Sequence, residues 1–190
     1  MTIPAPMSLY QNLLREHWNA VSPRVKNSHL SGKELHANCC LDVVGSSNVV
    51  GKIIGRIISL PVPGKAAPVT LHIHECPEGE LWERMFPDCN LRSVQSQSAE
   101  GYLVDRFGVI AFCFHLEVSN GGIINQHRKT YLRFGVLSLR LPWFVSPRVV
   151  SHEEPDDKES ASRITVSLSM PLVGHLLSYN GIVRPIKERA

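Results

Sequence analysis

The sequence predicts an α+β domain: a curved, mostly antiparallel β-sheet, partly closed and barrel-like, with two N-terminal helices. Three observations lead there. From Val69 onward, apolar and polar residues alternate at period two through most of the chain. Turn signals separate these runs at short intervals, the clearest being Asn120-Gly121-Gly122. Helical spacing of apolar residues occurs in two stretches, both before Pro61.

Taken in order, Ser8 caps a predicted helix over about 9–21, with Leu9, Leu13, Leu14, Trp18 and Val21 on one stripe, and Ser22-Pro23 ends it. A strand is expected over 34–44. After Gly45-Ser46-Ser47-Asn48, residues 49–59 read as a short helix with Lys52 and Arg56 opposite its isoleucines, although β-branching keeps a strand in play. Val69, Leu71 and Ile73 alternate with Thr70, His72 and His74, and 81–86 returns after Pro77-Glu78-Gly79. Residues 102–106 precede a tight point at Gly108. Ile110, Phe112, Phe114, Leu116 and Val118 then alternate cleanly, and 124–134 and 136–141 follow. Strands at 149–152, 164–170 and 174–183 complete seven to nine. The acidic stretch 153–159 is expected as a solvated hairpin loop.

Composition bounds the function. The 190 residues are 43% hydrophobic and 19% charged, which suits one domain over 1–190 with a core from about 9 to 184. Twenty Lys and Arg against 17 Asp and Glu give +3; residues 153–159 carry −4, so the remainder carries +7. A weakly basic body favours anionic partners but falls far short of a nucleic-acid interface, and no nucleic-acid partner is expected. Met1 to Ser8 does not read as a signal peptide, and the longest apolar stretch, 49–60, is too short to span a bilayer. Five scattered cysteines without a CxxC point to free thiols, and a cytoplasmic protein is the expectation.

Several motifs together carry a resemblance. They are Leu9-Tyr10 with Leu13-Leu14 and Trp18, Leu60-Pro61, Trp82-x-Arg84-x-Phe86, Arg106-Phe107-Gly108, Gly121-Gly122, Leu141-Pro142, and Pro171-Leu-Val-Gly174 followed by Tyr179-x-Gly181. In order and spacing the chain resembles a bacterial domain-of-unknown-function family, number 4166. Lys33–Val44 departs from the family's glycine-rich, Arg-containing strand, and Asp105 and Ile182 stand where the family often has Glu and Trp. The family occurs alone and fused behind saccharopine-dehydrogenase-like modules. The resemblance therefore implies a dehydrogenase-like protein partner as one role, and implies no activity.

The residues offer few catalytic constellations. Trp82, Arg84 and Phe86 share one strand face, where an arginine between aromatics needs a partner such as Asp105 or Glu100, or else binds a carboxylate or phosphate. Arg106 lies beside Asp105 in a strand, so the two charges point to opposite faces. Trp143 belongs to a stiff aromatic turn, Pro142-Trp143-Phe144. His115 and Glu117 share a face and sit opposite His127, Lys129 or Tyr131 in the expected hairpin, a pattern that wet sheet faces also produce. His72 and His74 supply two same-face imidazoles, but Cys76 lies about 13 Å along an extended strand from His72, so the expectation is no metal. For nucleophilic catalysis the candidates are Cys39, Cys40 and Cys113 with any histidine; Cys113 and His115 share a face but, two apart on a strand, stand further apart than a hydrogen bond. No catalytic residue and no cofactor is assigned.

The surplus of apolar side chains decides the reading: a non-catalytic module binding an apolar or amphiphilic small molecule, with Trp82, Arg84, Phe86, Arg106 and Trp143 as ligand-binding candidates. A cavity of roughly 300 Å³ or more is expected for such a site. The amphipathic stretch 49–60 and the 137–144 segment either gate that cavity, touch a bilayer peripherally, or pack as core. The alternatives are an interaction or regulatory domain, and an enzyme with a small substrate.

Overall fold

The computed structural model describes residues 7–30, 34–156 and 161–186. Eleven antiparallel strands form one sheet: β1 Leu35–Gly45, β2 Gly64–Cys76, β3 Gly79–Met85, β4 Asn90–Gln97, β5 Leu103–Phe107, β6 Ile110–Ser119, β7 Gly122–Phe134, β8 Leu137–Arg140, β9 Arg148–Asp156, β10 Ala161–Met170 and β11 Gly174–Pro185. Their order is β6-β5-β4-β3-β2-β1-β11-β10-β9-β7-β8, and β6 also pairs with β7. That last pairing closes ten strands into a barrel, with β8 hanging from the upper half of β7. Closure removes the free edges that an open sheet would expose.

The closing hairpin is the one that Asn120-Gly121-Gly122 predicts. Asn120 and Gly121 both have positive φ, 50° and 77°, the pairing that a two-residue hairpin turn of matching twist demands. Ile110 faces Leu132 and Ser119 faces Gly122 across it. A bulge between Cys113 and Phe114 shifts the register. As a result Gln126 and Ile124, not His127 or Tyr131, lie opposite His115 and Glu117.

Among the described residues three short α-helices accompany the sheet: α1 Leu9–Leu14, α2 Pro23–Lys26 and α3 Val49–Ile57. Ser8 caps α1 by accepting from the Gln11 amide at 3.2 Å. The single helix expected over 9–21 breaks at Arg15, whose φ is 50°, and continues as a 3₁₀ turn over Arg15–Ala20. Tyr10, Leu14, Trp18, Val21 and Val25 are buried along this N-terminal segment, which closes the barrel end where β6 meets β7. The Ser22 amide donates to the Gly121 carbonyl at 2.8 Å, and the Arg24 guanidinium donates to the Asp156 carbonyl at 2.5 Å. At the opposite end α3 crosses between β1 and β2, and its cap residue Asn48 also donates to the Val173 carbonyl at 2.8 Å.

Two segments differ from expectation. Residues 90–97, where no strand is expected, form β4. Residues 153–156, expected in a loop, continue β9; they pair with 161–164 of β10, because Glu153 has an interior partner. Residues 157–159 of the expected acidic loop lie outside the described residues.

Candidate functional site

The inward faces of the strands enclose a cavity of about 250 Å³. That is below the roughly 300 Å³ at which small-molecule sites commonly begin, because aromatic rings occupy much of the lumen. Phe107 and Phe112 meet edge to face at 6.0 Å, and Phe112 and Phe114 lie 6.3 Å apart. Ile110, Val149, Leu168 and Leu177 line the end nearest α3, and Ile58 and Leu60 reach it from the segment after α3. Polar groups gather toward the N-terminal plug: Tyr10, His29, Arg84, Gln95, Asp105 and Glu153. The cavity is therefore amphipathic along its length, with an apolar mouth and a polar floor.

Alternation on β3 brings Trp82 and Arg84 to the lumen and sends Glu83 outward. The Arg84 guanidinium lies 5.1 Å from the Trp82 ring and 5.8 Å from the Phe107 ring, within cation–π range of both. Its Nη1 donates to Ser93 Oγ at 3.1 Å. Asp105, buried on β5, is the nearby acid. Burial pushes its carboxyl above the ordinary value; the Arg84 charge and hydrogen bonds from Ser93 and Gln95 offset this only in part. Asp105 Oδ1 is shielded from solvent and has no hydrogen-bond partner. A carboxyl held toward its neutral form leaves the guanidinium charge only partly compensated.

Deeper in, the plug is tied to the wall through polar contacts. His29 Nε2 lies 2.8 Å from Glu153 Oε2, and Ser162 Oγ donates to Glu153 Oε1 at 2.7 Å. The His29 ring lies 3.8 Å from that of Tyr10, whose hydroxyl donates to Gln95 Oε1 at 3.0 Å. Burial pushes Glu153 up, but the charge and hydrogen bond of His29, with the Ser162 bond, outweigh it and hold the carboxyl below its ordinary value. These groups are committed to one another and serve to hold the floor shut.

The sequence candidates divide by position. Trp82 and Arg84 line the cavity. Phe86 is buried in the core against Tyr179, with ring centroids 6.0 Å apart. Arg106 points outside the barrel and pairs with Glu78. Trp143 is exposed in the loop before β9, edge to face with Phe144. Gln95, Asp105, His29 and Glu153 complete the polar floor and were not singled out as binding residues. Burial pushes the Cys39 thiol up to about 12 and raises that of Cys113, the reverse of what a thiolate nucleophile needs. His115 and Glu117 are exposed on the outer face, where Gln126 donates to Glu117.

The rim near α3 is unusually apolar. Val49, Ile53 and Ile57 of α3 face solvent, as does Leu172 in the turn whose Val173 carbonyl accepts from Asn48. Among the described residues no helix is long and apolar enough to cross a membrane.

Comparison with curated proteins and with solved structures gave no match. A protein-family model matches residues 22–182, from α2 through most of β11. The chain belongs to the domain-of-unknown-function family DUF4166.

Proposed function

We propose that the barrel is a binding module for a small amphiphile that carries an anionic headgroup. The observation that carries this reading is Arg84, a guanidinium within cation–π range of Trp82 and Phe107 where the polar floor meets the apolar part of the lumen, beside an acid whose burial favours its neutral form. A carboxylate or phosphate at Arg84 gains charge-assisted hydrogen bonds. An alkyl chain then runs past Phe112 and Val166 toward Leu177 and Leu60 at the mouth. The size of the cavity favours a medium-chain ligand over a two-chain lipid.

The exposed apolar face of α3, flanked by Lys52 and Arg56, suits peripheral contact with an anionic bilayer, from which such a ligand would enter. The same rim is also where a dehydrogenase-like partner would dock, the role suggested by fusion to saccharopine-dehydrogenase-like modules.

Isothermal titration with decanoate and with decanol tests the binding reading. Decanoate should bind one to one and more tightly than decanol, and Arg84→Gln should erase the difference. Absence of binding by both, together with a native mass equal to the denatured mass, would overturn it. Binding of decanoate without sedimentation on phosphatidylglycerol vesicles would favour the protein-docking role for the rim.

A further inference from the structure

We propose that the outer face of β1–β3 carries a divalent-metal site of zinc-like chemistry, with Glu34, His36 and His72 as ligands. This site lies on the wall of the barrel, outside the cavity, and stands independently of the ligand-binding reading.

The register creates it. His36 on β1 is paired with His72 on β2, His72 with Glu83 on β3, and Glu83 with Arg92 on β4. Cross-strand partners on one face of a sheet stand close enough to interact, so four strands contribute to one transverse row. Glu34, two residues before His36, projects over the same end of the row. His36 Nε2 and His72 Nε2 each lie 3.8 Å from Glu34 Oε2, and the three ligand atoms all fall within 4.8 Å of one another. Donors bound tetrahedrally at about 2.0–2.1 Å from zinc stand about 3.4 Å apart. The two contacts to Glu34, at 3.8 Å, thus need to close by about 0.4 Å, and the two histidine nitrogens, no more than 4.8 Å apart, by at most about 1.4 Å. Glu34 is 63% exposed and His36 40% exposed, so both have room to move.

Two further features point to an ion. His72 Nε2 is shielded from solvent and has no hydrogen-bond partner, and the neighbouring His74 Nδ1 is in the same condition. Orphaned buried nitrogens are uncommon and call for a partner such as an ion or a water. The other nitrogen of His72, Nδ1, faces Glu83 Oε2 at 3.4 Å, while Glu83 Oε1 is held by Arg92 at 2.7 Å. A proton on Nδ1, directed to Glu83, leaves the Nε2 lone pair facing Glu34 and His36. This is the carboxylate–histidine–metal arrangement in which an outer carboxylate fixes the tautomer and raises ligand basicity. The imidazoles of His36 and His72 are stacked, 4.2 Å apart and 12° from parallel, so taking up one ion turns the more exposed His36 ring out of the stack until both lone pairs converge. With three protein ligands, a coordination position remains for water or a small anion.

His72, His74 and Glu83 form an overlapping ligand group. There Glu83 would have to leave Arg92 or share its charge with it, so Glu83 is assigned as the positioning residue. β2 supplies only His72; the other two ligands come from β1 and from the residue that precedes it.

The test uses the untagged full chain, stripped with a chelator and dialysed, then titrated with Zn²⁺ by calorimetry and with Co²⁺ by visible absorption. One equivalent of Zn²⁺ per chain is expected, with Co²⁺ bands of a nitrogen and oxygen ligand set. His36→Ala and His72→Ala should each abolish the saturable phase while the melting curve keeps its cooperativity. Glu83→Gln should retain the stoichiometry and weaken binding about 10–100-fold. The assignment is overturned if binding is absent or if it survives both histidine changes. It is also overturned if Co²⁺ gives intense sulfur charge-transfer bands, or if Glu83→Gln abolishes binding while His36→Ala spares it, which would move the ion to His72, His74 and Glu83.

Discussion

Changing His29 to Ala should detach the N-terminal plug from the barrel wall. The His29 side chain is 2% exposed and that of Glu153 12% exposed, and they meet at 2.8 Å. Truncating the imidazole removes the largest interaction that offsets desolvation of the buried carboxylate, and removes the ring packed on Tyr10 at 3.8 Å. Breaking one side of a buried charged pair costs about 3–5 kcal/mol. For a domain of this size each kcal/mol shifts the melting temperature by about 2–4 °C, so a fall of roughly 6–20 °C is expected at pH 7. Glu153→Gln, which removes the charge but keeps a hydrogen-bonding group, should cost much less, and the double variant should be no worse than His29→Ala alone.

The pH dependence carries a sign. The folded-state value of Glu153 is depressed, so its stabilisation is present above the unfolded carboxylate value of about 4.3 and is lost as pH falls through the depressed folded value. Without His29, burial dominates and drives the carboxyl upward. The variant then gains relative stability on acidification, and its gap from the parent narrows between pH 7 and pH 4.5. Differential scanning calorimetry across that range measures both effects. A gap that does not change with pH, or coupling between the two sites below about 0.5 kcal/mol, would refute the account of a charged pair closing the floor.

Four other outcomes follow from the geometry. Arg84→Gln should weaken decanoate binding by about 10–100-fold, matching loss of charge-assisted bonds of roughly 1.5–3 kcal/mol, with decanol binding unchanged in calorimetry. Asp105→Asn should raise the melting temperature at pH 7–8. Its folded value is raised, so ionising it in place costs stability as pH climbs through that value, and the gain should vanish toward pH 4. The same change should remove any weakening of decanoate binding at high pH. Gly181→Ala should destabilise by about 3 kcal/mol or more, because a Cβ there would stand 1.9 Å from the Cys40 carbonyl oxygen; a melting temperature within 2–4 °C of the parent, roughly 1 kcal/mol, would show that the strand yields. Ile57→Asp on the exposed face of α3 should reduce sedimentation with phosphatidylglycerol vesicles and leave the melting curve unaltered.

Local chemistry in the sequence determined the strands that alternate apolar and polar residues, the Asn120-Gly121 turn, the cap at Ser8 and the shared strand face of Trp82 and Arg84. Each of these depends on residues near in sequence, through side-chain period or turn stereochemistry. The strand β4 was not legible, and its inward residues explain why. Ser93 and Gln95 are buried because they hydrogen-bond Arg84, Asp105 and Tyr10, so the strand that builds the polar floor lacks the apolar period that reveals a strand. Glu153 reads as part of a solvated acidic run for the same reason: its partner His29 is 124 residues away. The row of His36, His72, Glu83 and Arg92 likewise exists only through the register of four strands. Apolar burial is legible locally because it needs no specific partner, whereas a buried polar group is stable only beside its complement. Where that complement sits on a distant strand, only the closed barrel decides it.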